Sequence, residues 1–71
     1  MHQNDVLIQA SSTDPPNEDA WHVVHRSAGA IGSQAWIQAL SVARRIARQE
    51  KVDIYRAEAD SAPTLYETYR P

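Results

Sequence analysis

The sequence predicts an α+β domain of order ββαββ, in which one amphipathic helix packs on a small, mainly antiparallel sheet. Three observations lead there. Apolar residues recur at helical spacing over a single stretch, from Ser33 to Lys51. Short runs of branched and aromatic residues flank that stretch, two before it and two after it. The four prolines and two glycines fall between or beyond these runs, where chain reversals belong.

The first run is Val6-Leu7-Ile8-Gln9-Ala10, apolar and β-branched, and it reads as a strand. Ser11 to Asn17 follows as an exposed connection, stiffened by Pro15-Pro16, which lack amide hydrogens and disfavour helix before them. The second run, Ala20 to Arg26, sets Trp21, Val23 and His25 on one side and His22, Val24 and Arg26 on the other. Trp21 and Val23 are expected to face the core. Gly29 and Gly32 then supply a turn, and Ser33 is placed to cap the helix.

At 100° per residue, Trp36, Ala39, Leu40, Ala43, Ile46 and Ala47 form one stripe, with Gln38, Ser41, Arg45 and Arg48 opposite. The three alanines let the helix approach a sheet closely, while the larger side chains fill the remaining gaps. After the helix, Val52 to Arg56 alternates, Val52 and Ile54 against Asp53 and Tyr55, as a half-buried strand does. Leu65 to Tyr69 is β-rich and reads as the closing strand, stopped by Arg70-Pro71. The chain is expected to be one domain, 1–71, with 1–5 and 70–71 as disordered ends.

Seventy-one residues allow one core, burying roughly 60% of the surface of the unfolded chain. No cysteine is present, which excludes disulfides and cysteine-rich zinc sites and fits a reducing, cytoplasmic setting. The N-terminus has neither the basic start nor the apolar run of a secretory signal, and no stretch suits a membrane span. Nine acids against seven bases give a net charge of −2, too little to draw nucleic acid or an anionic membrane by overall field.

Trp21-His22-Val23 on a strand, then Ala39, Ala43-Arg44 and Ala47 on a helix, then Asp53-Ile54-Tyr55 on a strand resemble a small bacterial family, domain of unknown function 2188. The resemblance spans about residues 20–69 and rests mostly on core positions. The Asp-Gly turn usual before the last strand of that family is replaced here by Ala59-Asp60-Ser61-Ala62-Pro63. It implies the fold and carries no activity.

No catalytic constellation is expected. His22 and His25 lie three apart on a strand and point to opposite faces, which does not suit one metal ion. No serine or carboxylate is fixed beside His22 by the sequence. Gly29-Ala30-Ile31-Gly32-Ser33 lacks the Gly-Lys-Ser/Thr ending of a phosphate loop. The sequence therefore points to a protein that is not an enzyme and uses no cofactor.

Two surfaces remain. The sheet face turned from the helix is expected to gather Tyr55, one or both of Tyr66 and Tyr69, and Arg26, with His22 beside them, for a protein partner or a second copy in a homodimer. The outer helix side carries Arg44, Arg45, Arg48 and Lys51 against the single acid Glu50, an alternative surface for nucleic acid. A third reading is an inhibitor of a host machine encoded by a phage or mobile element. The leading expectation is a non-enzymatic interaction module that uses its open sheet face.

Overall fold

The computed structural model describes residues 2–10, 20–29, 32–58 and 61–71. The expected connection through Pro15-Pro16, parts of the glycine turn and Ala59-Asp60 lie outside the described residues. The elements are β1 (Val6–Ala10), β2 (Trp21–Val24), α1 (Trp36–Glu50), β3 (Asp53–Ala57) and β4 (Thr64–Thr68).

These strands form one sheet in the order β2-β1-β3-β4. The outer pairs are antiparallel, and the central pair, β1 with β3, is parallel. A parallel neighbour requires a crossover, and α1 supplies it between β2 and β3. The central place of β1 follows from its three consecutive apolar residues. Val6 and Ile8 are fully buried under the helix, while Leu7 is half-buried on the other face.

The helix lays Ala39, Leu40, Ala43, Ile46 and Ala47 on the sheet, all buried, with Trp36 and Val42 partly so. Three of the alanines have no exposed surface, so backbone and sheet meet closely there. Opposite them lie Val6, Ile8 and Ile54, the largest fully buried side chains among the described residues, each contributing about 1.5–3 kcal/mol by leaving water.

The helix does not begin at Ser33. Its N-cap is Ala35, in extended conformation with φ −62° and ψ 152°, and no side chain caps it. Ser33 is diverted because Trp21 and Gln34 exchange both backbone hydrogen bonds, at 3.1 and 2.9 Å, drawing the chain alongside β2 before the helix starts. At the other end Lys51 turns left-handed, with φ 55°, and its N–H donates to the Ala47 carbonyl. That closes the helix as a glycine usually would.

The chain ends depart from expectation. Asp5 is a buried carboxylate, not part of a loose end. Its Oδ2 accepts the His2 N–H at 2.7 Å and its Oδ1 accepts the Asp53 N–H at 3.1 Å. Arg70 reaches back from the C-terminus and donates to Asp5 and, at 3.2 Å, to Asp53, while Thr68 also donates to Asp53. Two buried acids beside one another require a cation, and Arg70 is that cation.

Candidate functional site

Strand alternation and register decide which side chains appear on the sheet face away from α1. On β1 these are Leu7 and Gln9, because Val6, Ile8 and Ala10 are under the helix. Leu7 stands opposite Val24 of β2 and opposite Tyr55 of β3, and Tyr55 stands opposite Leu65 of β4. Val24, Leu7, Tyr55 and Leu65 thus form one apolar row across all four strands. Val24 is 48% and Leu65 56% exposed, while Leu7 and Tyr55 are half-buried by their neighbours.

Polar residues border the row. Gln9 and His22 face each other on one side. Asp53 and Thr68 pair on the other, with Arg70 folded over them. An apolar strip with a polar margin is the usual anatomy of a recognition surface.

Of the residues expected on this face, the register leaves Tyr55 in the row. Tyr66 and Tyr69 lie on the helix side. The Tyr66 ring stands edge-on to Trp36, centroids 5.2 Å apart, and Tyr69 packs against the core beneath Arg48, whose guanidinium is 5.9 Å from its ring. The cause is a bulge. Ile54 pairs with Glu67, yet its neighbour Tyr55 pairs with Leu65, so β4 carries one extra residue at Tyr66. Tyr66 and Glu67 therefore share the helix side, and Leu65 turns to the open face. Arg26 lies past the end of β2, exposed and 3.6 Å from Glu50.

The helix side of β3 and β4 holds a second group of side chains that sequence reasoning missed. Arg56 follows Ile54 by two residues and so points toward α1, where its guanidinium lies 4.7 Å from the Trp21 ring and 4.4 Å from the Trp36 ring. The two indoles meet edge-on at 4.8 Å. The signal was present in the alternation of 52, 54 and 56, but an arginine at a core-facing position is easily taken for a surface residue.

Two of the four cations on the basic helix side are engaged within the chain through their side chains. Arg44 donates to both carboxylate oxygens of Glu67, at 2.9 and 2.8 Å, a fork-to-fork pairing that braces β4 against α1. That bond holds the Glu67 carboxyl below the usual carboxylate range, against the opposing effect of burial. Arg48 covers Tyr69, and Lys51 forms the left-handed cap. Arg45 is exposed.

His22 and His25 have separate partners. His22 Nε2 is 3.2 Å from Ser33 Oγ, a pairing the sequence did not anticipate because eleven positions separate them. His25 Nδ1 accepts the Ser27 N–H at 3.0 Å, which puts its ring proton on Nε2, beside the Asn4 carbonyl and side-chain oxygens. His25 thereby closes one wall of an open cleft of about 720 Å³ that also includes Asn4, Asp5, Val24 and Arg26. No group of three or more metal-ligating side chains occurs among the described residues. Among the same residues no helix is long and apolar enough to cross a membrane.

No protein family, curated protein or solved structure matches the chain.

Proposed function

We propose that this protein is a non-enzymatic interaction module of the cytoplasm that binds protein through the sheet face turned away from α1. One observation supports this most: the uninterrupted row Val24, Leu7, Tyr55 and Leu65, which crosses every strand on the side where no described element packs. A sheet with an apolar strip gains by covering it, and tyrosine with aliphatic neighbours suits a protein surface. The outer helix side supports nucleic-acid binding less well, since Arg44 and Arg48 already serve Glu67 and Tyr69.

The test compares immobilised wild-type chain with a Val24→Glu, Leu65→Glu variant in capture from host extract and in self-association. Both positions are half-exposed, so the variant keeps its fold, which circular dichroism checks. Binding by the wild type that the variant loses is the expected result. Binding that survives both charges, or no binding of any kind, contradicts the proposal.

A further inference from the structure

We infer that the occupant of the open face is a second copy of the same chain, packed sheet on sheet about a two-fold axis running along the apolar row. This deepens the proposed function and rests on its assignment of that face as the binding surface.

Area sets the strength of such a pair. Four strands about 4.8 Å apart and five residues of about 3.3 Å each offer roughly 300 Å² in projection. Two corrugated faces of that size bury on the order of 1,000 Å² together, at the threshold for a specific contact. The pair is therefore weak and concentration-dependent rather than obligate.

Charge sets the axis. A two-fold parallel to the strands reverses the row and lays the margin of Asp5, Asp53 and Arg70 on the same margin of the other copy, so that Arg70, which covers the two buried acids, meets Arg70. A two-fold along the row instead exchanges the two polar margins. Gln9 then meets the margin that holds Asp5, and the small Ala57 meets Asp53, so no like charges are opposed. Each apolar residue of the row faces its own counterpart, as an isologous contact requires. Leu65 consequently sits across from Leu65 of the other copy.

Sedimentation over a wide concentration range, run on the wild type, the Val24→Glu, Leu65→Glu variant and an Ile37→Glu control, tests this. Ile37 is 75% exposed on the helix, so it controls for general stickiness. The expected result is a wild-type mass rising from monomer toward dimer, a half-association concentration raised at least tenfold in the row variant, and none of that change in the control. Because the chain has no cysteine, Leu65→Cys carries a single thiol, and a short bismaleimide should join two copies at that position.

A dimer lost only in the Ile37 control overturns both this inference and the proposed function. A dimer that the row variant abolishes, but whose Leu65→Cys form does not cross-link, overturns the axis. A wild type that stays monomeric overturns the inference alone if the row variant still loses capture of another protein, and overturns both if it loses nothing.

Discussion

Replacing Arg56 with methionine removes a charge from between two indoles while leaving an unbranched stem in its place. The guanidinium lies within 5 Å of both ring centroids, and the side chain is 35% exposed, so each contact is partly desolvated. At about 0.5–1 kcal/mol per contact in such a setting, the two together contribute about 1–2 kcal/mol. The Glu58 pair at 3.4 Å contributes little, since that carboxylate is 59% exposed. With a urea slope of about 1 kcal/mol per molar for so small a chain, Arg56→Met should unfold at a midpoint about 1–2 M lower. Arg56→Lys keeps the charge without the flat stacking surface and should fall between. Glu58→Gln should match the wild type. Intrinsic fluorescence is the natural readout, because Trp21 and Trp36 are the only tryptophans and both touch Arg56. An Arg56→Met midpoint equal to that of the wild type would refute the attraction between arginine and indoles as a stabilising contact.

Ala35 already has the extended backbone of an N-cap and lacks only the side chain, so Ala35→Asp should raise stability by about 0.5–2 kcal/mol; an unchanged melting temperature would contradict the assigned helix start. Ile54→Ala removes a fully buried side chain and should cost about 2–5 kcal/mol, enough to unfold much of a domain this small, whereas Ile37→Ala should stay within about 0.5 kcal/mol; similar melts for the two would overturn the core assignment. Burial would raise the Asp5 carboxyl, but the Asp53 and His2 amides and Arg70 outweigh it and hold it below 3.8, while Glu67 is held below 4.5 by Arg44. Both groups therefore stabilise the fold above these values and cease to do so as pH falls through their depressed folded-state values. The melting temperature should decline from about pH 4.5 downward, and Asp5→Asn, though less stable at neutral pH, should show a shallower acid decline; a flat profile to pH 2.5 would count against both pairings.

Local pattern made most of the fold legible. The helix stripe, the inward Trp21 and Val23, and the alternation of Val52 through Ile54 each follow from spacing alone, because 3.6 and 2 are distinct periods. The run Val6-Leu7-Ile8 announced a strand but not its central place, which depends on the partners it meets in the sheet. Long-range pairing was not legible. Leu65 to Tyr69 alternates like a regular strand, and nothing in those residues reveals the bulge that turns Tyr66 toward Trp36 and Leu65 away from it. Arg44 with Glu67 and Arg70 with Asp5 join residues 23 and 65 positions apart, and only the order β2-β1-β3-β4 brings them together. Ser33 failed as a cap for a similar reason: its neighbour Gln34 is claimed by Trp21, a contact set by tertiary structure.

The recognition face depends on which side of β4 each of two adjacent residues occupies, and nuclear Overhauser contacts report that directly in dilute solution. Magnetisation should pass from the Leu65 methyls to the Tyr55 ring and from there to Leu7, while the Tyr66 ring should couple to the Trp36 indole. Contacts from Leu65 to Trp36 and from Tyr66 to Tyr55 would remove the bulge, break the apolar row and contradict the account.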